Sequence, residues 1–239
     1  MKFTSAAGIA TCVALAVFPP STLAQFDDDY SPNVTLRFFT SSQADSCDYS
    51  NSSSALTFTT VSIPVIGHCF NVADLFGGNA TSGYVNQSRN IIGSNLDSPG
   101  IRWQLKNVDN YDPQANYSSL LYRQHVESAS SNLAPGTFAD RRITVYGGVN
   151  CSELDPTAPK DRKKPLLPWF GLDCRTEAQG RCGDTPYNIA SFYVNNKKSG
   201  EKGKCWDFAY MGAASGTAAS ARVVLAALMS VLVAAWVAL

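Results

Sequence analysis

Apolar residues lie along this chain in two different ways. At the ends they form long runs, at positions 6–18 and 223–239, each with a single hydroxyl residue inside it. Between the ends they fall in short runs rich in β-branched and aromatic residues, cut at close intervals by Gly, Pro, Asn and Asp. Such runs read as strands and turns, and no central stretch keeps the 3.6-residue period of an amphipathic helix. Strands are predicted from Leu36 to Thr40, Ala55 to Val61, Ile63 to Cys69, Ile101 to Leu105 and Tyr117 to Arg123. Further strands follow from Ile143 to Tyr146, Leu167 to Cys174, Ile189 to Val194 and Cys205 to Tyr210. The fold class this implies is all-β: an antiparallel sandwich stapled by disulfides.

The order of these runs suggests two Greek-key-like repeats. A strand ending in aromatic residues, Leu36 to Thr40, is followed by a turn and Cys47; Ile143 to Tyr146 is followed by Gly147, Gly148 and Cys151. Each then has Pro, apolar residues, Gly and Cys: Pro64-Val65-Ile66-Gly67-His68-Cys69, and Pro168-Trp169-Phe170-Gly171-Leu172-Asp173-Cys174. A polar loop and one more strand close each copy. Read this way, residues 25–135 are an N-terminal β repeat and 136–212 a C-terminal one. The competing explanation is coincidence among β-rich segments.

The terminal runs have a different use. Lys2, an apolar core, the helix-breaking Pro19 and Pro20, and small residues up to Ala24 match a secretory signal peptide spanning 1–24. At the other end, small residues from Gly212 to Ser215 precede a short polar spacer and a 17-residue apolar tail. This is the layout of a glycosylphosphatidylinositol (GPI) signal over 213–239, with attachment expected at Gly212 or Ala213. As a helix the tail would reach about 25 Å, short of a bilayer core of about 30 Å, and no Lys or Arg follows it. The expected location is the outer face of the plasma membrane or the cell wall, and the expected partners are the GPI lipid, the outer leaflet and wall polysaccharide.

With the two ends removed, 17 basic residues stand against 19 acidic ones, which excludes the basic excess of a nucleic-acid binder. Six sequons lie in this part, at Asn33, Asn51, Asn79, Asn86, Asn116 and Asn150, and mark it as a glycoprotein with these residues facing water. Cys12 leaves with the signal. The even set Cys47, Cys69, Cys151, Cys174, Cys182 and Cys205 reads as three disulfides in an oxidising route, in preference to metal, because no CxxC spacing occurs. If the repeats are real, the economical pairing is Cys47–Cys69 and Cys151–Cys174 within the copies, with Cys182–Cys205 tying the last strand back.

At these residues the chain resembles the small cysteine-rich, GPI-anchored secreted proteins of fungi, with their "I-x-V-Y…C" and "P-x-x-G-x-C" strands. The second half, through Ile143 to Tyr146 and Ile189 to Val194, also resembles a βγ-crystallin-type Greek key. That resemblance implies a calcium site in the stretch Tyr187 to Phe192, but Tyr187 and Phe192 stand where oxygen ligands are needed. No metal or other cofactor is expected.

Catalytic signatures are missing: GxSxG, HExxH, a P-loop and a dinucleotide fingerprint are all absent from the sequence. His68 reads as structural and His125 as a surface residue. Asp173, Glu177 and Asp184 are candidates for a glycosidase carboxylate set, weighed against plain solvation in loops. Asp27 to Asp29 read as a solvated leader, and the basic stretches 160–164 and 197–204 as loops. Trp103, Trp169 and Trp206 are candidates for sugar stacking, weighed against burial in a core. The expected function is that of a non-enzymatic surface or wall glycoprotein with a structural or interaction role. The alternative is a carbohydrate-binding or carbohydrate-active protein, and a membrane-active crystallin relative stands third.

Overall fold

The computed structural model describes residues 33–40, 47–88, 99–127, 133–159, 165–196 and 203–212. The predicted signal peptide and the apolar tail lie outside these, as do Ala213, Asp27 to Asp29, the basic stretch 160–164 and most of 197–204. In chain order the elements are β1 (Val34–Phe39), β2 (Leu56–Thr60), β3 (His68–Asn71), α1 (Val72–Phe76), β4 (Ser82–Asn86), β5 (Gly100–Lys106), β6 (Ser119–Arg123), β7 (Phe138–Tyr146), β8 (Trp169–Cys174), β9 (Arg181–Asp184), β10 (Ser191–Asn196) and β11 (Ala209–Met211).

The strands form two antiparallel sheets. The first has the order β4-β5-β2-β1-β6-β9 and the second β11-β8-β7-β10-β3. Alternation along each strand sends every second side chain into the gap between them. From the first sheet come Val34, Leu36, Phe38, Phe58, Ile101, Leu105, Leu120 and Tyr122; from the second, Phe70, Ile143, Val145, Phe170, Leu172, Phe192 and Val194. Phe58 lies 4.9 Å from Phe192 and 5.2 Å from Phe70, ring centre to ring centre, so the two layers meet through aromatic pairs. Each such pair adds about 0.5–1.5 kcal/mol to what burial alone supplies.

β1 is buried on both faces. Its outer side is covered by the 47–55 loop, where Phe39, Ala55 and Leu121 form a second, smaller cluster against Cys47, Tyr49 and Cys182. Arg37 points into this cover. Its guanidinium bonds the Tyr49 carbonyl and the Ser52 hydroxyl, and stacks on the Tyr49 ring at 4.3 Å, while Arg123 stacks on the same ring at 4.2 Å.

The all-β sandwich matches the sequence reading, but the disulfide pairing does not. The bridges are Cys47–Cys182, Cys69–Cys151 and Cys174–Cys205, with Cα separations of 6.0, 6.0 and 5.0 Å. The expected Cys47–Cys69, Cys151–Cys174 and Cys182–Cys205 pairs are therefore corrected. The reason lies in the strand order. Residues before 136 supply the first sheet except for β3, which crosses to pair with β10; residues after 136 supply the second except for β9, which crosses to pair with β6. Cys69 and Cys182 sit on these two exchanged strands, so each finds its partner in the other half. The proposed equivalence of the halves fails at the same place: the would-be counterparts β3 and β8 pair differently, β3 with β10 alone and β8 with β7 and β11.

Two predicted strands survive only at their C-terminal ends. Of Ile63 to Cys69 only the end, from His68, is strand, because Pro64 has no amide hydrogen to donate and the neighbouring main-chain groups bond to side chains instead. Of Cys205 to Tyr210 only the end, from Ala209, is strand, because the Trp206 main chain bonds Asp173 and Cys174 instead of a partner ladder. The strands β4 and β9 and the five-residue α1 were not predicted, since none carries an apolar run long enough to register.

Candidate functional site

The chain leaves β11 at Gly212, at the end of the sandwich that also holds Tyr146, Trp169 and Asn150. Gly212 has φ 95°, a left-handed conformation that favours glycine, and a Cβ placed there would lie 3.0 Å from the Trp169 indole. The residue expected to carry the anchor thus lies against the outer aromatic face of the second sheet. Of the six sequon asparagines, Asn51, Asn79, Asn86, Asn116 and Asn150 are exposed and Asn33 is half-buried. The Asn150 side-chain oxygen accepts a bond from Asn71, and its neighbour Cys151 is bridged, so the doubtful Asn-Cys-Ser sequon sits in a stapled turn.

On the outer face of the second sheet, Tyr146 and Trp169 lie 6.5 Å apart and Trp169 and Trp206 5.9 Å apart. Trp206 is pinned. It covers Gly171, where a Cβ would come within 2.4 Å of the ring, and the Arg142 guanidinium stacks on it at 3.8 Å. Arg142 is held by Asp173, whose carboxylate is fully buried and 2.6 Å away, and Asp173 also accepts the Trp206 amide. Trp103 turns the other way, packing over Gly83 against the core. Trp169, like Trp103, is half-buried, and among the described residues neither ring has a cation stacked on it.

The carboxylates do not converge. Asp173 lies on β8 in the second sheet, Glu177 in the turn ahead of β9, and Asp184 at the end of β9 in the first sheet, accepting a bond from the Ser119 hydroxyl. Asp173, Cys174 and Cys205 place three donor atoms within 4.8 Å of one another, but the two sulfurs are bonded to each other and the Asp173 oxygens serve Arg142 and Trp206. In the calcium-like stretch, Asn188 accepts the Tyr117 amide, Ser191 bonds Cys151 and Gly148, Tyr187 packs on Phe170 and Phe192 is core. Those oxygens are committed to the fold.

The histidines also have structural surroundings. His68 stacks edge-on against Phe70, with ring centres 4.7 Å apart, and burial holds its pKa below the ordinary value. His125 bonds the Thr176 carbonyl through Nδ1. A cleft of about 400 Å3 opens between the 53–56 and 110–117 segments, lined by Phe38, Thr40, Leu56, Asn110, Asp112 and Tyr117 among others. Asp112 is the one carboxylate among its lining residues, so the cleft offers a binding niche and not an acid–base pair.

Sequence reasoning missed a buried polar cluster at the opposite end from Gly212. Tyr122, Gln124 and Arg141 are fully enclosed. Gln124 bonds the Tyr122 hydroxyl and the Arg141 carbonyl, and Tyr122 donates to the Cys174 carbonyl. Burial lowers the Arg141 pKa to about 10, which still leaves it charged at neutral pH. Its guanidinium bonds the Val61 and Ser62 carbonyls. The one signal for this was the Arg141-Arg142 pair directly ahead of the predicted strand Ile143 to Tyr146: where the strand runs back through the pair, as it does from Phe138, alternation must send one arginine inward. No protein-family model matches the chain, nor does any curated protein or solved structure.

Proposed function

We propose that this chain is a non-catalytic surface glycoprotein, exported, sugar-coated and held to the outer leaflet by a GPI anchor at Gly212 or Ala213, with a structural or interaction role at the membrane or wall. The observation that carries the reading is the exposure of five of the six sequon asparagines, each on a loop or at a strand end where a glycan meets water. The three closed bridges accord with an oxidising export route. Phosphatidylinositol-specific phospholipase C should release the protein from intact cells, and peptide N-glycosidase should lower its apparent mass. A polypeptide that stays cell-bound and still ends at its encoded Leu239 would overturn the anchor.

The second reading is carbohydrate binding, favoured by the neighbouring Tyr146 and Trp169 rings on the outer sheet face. A glycan array separates the two. Sugar-specific binding that disappears in Trp169→Ala favours the second reading, whereas an array without specific signal leaves the first.

A further inference from the structure

In the cleft between the 53–56 and 110–117 segments the core comes to the surface. The floor is apolar and aromatic: Phe38, Leu56 and Tyr117 line it, and all three are buried. The rim is polar, with Ser54, Asn110 and Asp112 exposed. Its volume of about 400 Å3 is within the range that small-molecule sites take. The fold uses some of the rim's polar groups and leaves others. Asn110 donates Nδ2 to the Ser54 carbonyl at 2.9 Å, which leaves its side-chain oxygen as the end not used. Asp112 accepts the Gln114 amide with one carboxylate oxygen at 2.8 Å and has the other to offer. The Tyr117 hydroxyl accepts the Asp112 amide at 2.9 Å, and the Tyr117 ring stacks on Tyr111 with centres 5.8 Å apart. The carboxylate therefore stands on a braced segment beside an aromatic ring, and the spare rim groups of Asn110 and Asp112 are acceptors.

Charge decides which ligand fits. The segments that line or flank the cleft, 38–40, 53–56, 72–77 and 107–117, contain Asp74, Asp109 and Asp112 and no Lys, Arg or His. Burial raises the pKa of Tyr111, with Tyr117, Asp112 and Asp74 adding to it, so both carboxylates act at this end. The next cation along the chain, Lys106, pairs with Thr57 on the outer face of the first sheet, whereas Phe38 and Leu56 face the gap between the sheets. An anion is repelled here, and an uncharged polyol gains nothing from the carboxylates. An ammonium ion gains from both parts of the cleft. Its hydrogens go to the carboxylate in a charge-assisted bond, and its carbon frame lies on apolar and aromatic surface that attracts positive charge. We propose that this cleft binds a small organic ammonium ion, with the ammonium group at Asp112 and the carbon frame over Phe38, Leu56 and Tyr117. A free alkyl amine and an amino-sugar unit of a deacetylated glycan both present this chemistry. The site is distinct from the Tyr146 and Trp169 face, which belongs to the second sheet.

The test uses the full chain expressed in a secretory host and titration calorimetry. The probes are diaminopentane and glucosamine, each set against an uncharged counterpart, pentanediol and N-acetylglucosamine. At least one ammonium probe should bind while its counterpart does not, and which of the two binds separates the free amine from the amino sugar. Asp112→Asn keeps an oxygen for the Gln114 amide but loses the charge, and should weaken binding by about tenfold. Ser54→Lys puts the chain's own ammonium on the rim and should abolish binding. Glu177→Gln, in the turn ahead of β9, should leave it unchanged. Because a variant can fail in folding, the salt dependence of wild type is the second arm: added salt should weaken the binding of the ammonium probe. The proposal is overturned if neither ammonium probe binds at millimolar concentration, or if each uncharged counterpart binds as tightly as its ammonium probe. Binding indifferent to salt, or wild-type affinity in Asp112→Asn with native circular dichroism, overturns it equally.

Discussion

The observed pairing nests one disulfide inside another, and nesting has a thermodynamic signature. Cys47–Cys182 closes 135 residues and Cys69–Cys151 lies within that span, closing 82. Taken alone, a link across 135 residues stabilises by about 5 kcal/mol through the entropy of the unfolded chain. With Cys69–Cys151 in place the contour is only 22 residues before that bridge and 31 after it, and the same relation gives about 4 kcal/mol. Removing both bridges should therefore cost about 0.8 kcal/mol more than the two single removals together. The consecutive pairing suggested by the sequence has no overlapping loops and gives no coupling between bridges. The assay is a cycle of four proteins: wild type, Cys47→Ala with Cys182→Ala, Cys69→Ala with Cys151→Ala, and all four changes, unfolded by guanidinium chloride. The combined loss of about 8–9 kcal/mol is comparable to the whole stability of a domain, so all four are measured in the same osmolyte, whose contribution cancels in the cycle. In parallel, Cys47→Ala alone should leave an alkylatable thiol at Cys182. Zero coupling together with a thiol at Cys69 would refute the nesting.

Three further outcomes follow from the second sheet. Asp173→Asn removes the charge from a fully buried carboxylate while Arg142 stays in place, and should cost about 3 kcal/mol in denaturant unfolding. Gly171→Ala drives a methyl to within 2.4 Å of the Trp206 ring, which Arg142 holds from above; the indole must shift, at a cost of about 1–3 kcal/mol, with a red shift in tryptophan emission. For His68, desolvation holds the folded pKa below 6.5, so the unfolded chain takes the proton more readily. Its contribution to stability is complete above about pH 6.5 and is lost as the pH falls through the lower folded value. Chemical unfolding followed across that window should therefore show stability falling with acidification, with a shallower slope in His68→Gln.

The strands that could be read from the sequence are those whose side chains alternate over a continuous apolar stretch: β1, β2, β5, β6, β7, β8 and β10 all fall where periodicity placed them. β4 (Ser-Gly-Tyr-Val-Asn) and β9 (Arg-Cys-Gly-Asp) could not be read, because edge strands bury little and their identity comes from the ladder they join. Pairing of cysteines depends on which strand lies beside which, and the exchange of β3 and β9 between sheets leaves no trace in spacing. The recurring Pro-x-x-Gly-x-Cys pattern misled for a local reason. In the first copy Gln87 and Arg141 hold it as a loop, whereas in the second, Trp169 to Cys174 pair with β7 along the strand. The sequons and cysteines were legible as residues, since their chemistry is written in their identity. Their surroundings, such as the contact of Asn86 with Ser88, were not.

The disulfides and the sequons fall differently on the four sheet edges. Among the described residues the first sheet ends at β4 and β9, and the second at β11 and β3. Edges invite pairing with other chains, and short ones also peel, because they have few ladder bonds to lose. β9 and β3 have four residues each and β11 has three. A cysteine holds each of them: Cys182 within β9, Cys69 within β3, and Cys205 four residues ahead of β11. The fourth edge, β4, has no cysteine, no proline and no charged residue, the devices by which edges are usually kept to themselves. It lies instead between two sequons, Asn79-Ala80-Thr81 immediately before it and Asn86-Gln87-Ser88 at its end. Sulfur secures the edges too short to hold themselves, and sugar at both ends of the remaining edge would keep a second copy from adding a strand to it. Loss of the Asn86 sequon in Ser88→Ala should therefore favour strand addition at β4, read in light scattering as a shift from monomer to larger species.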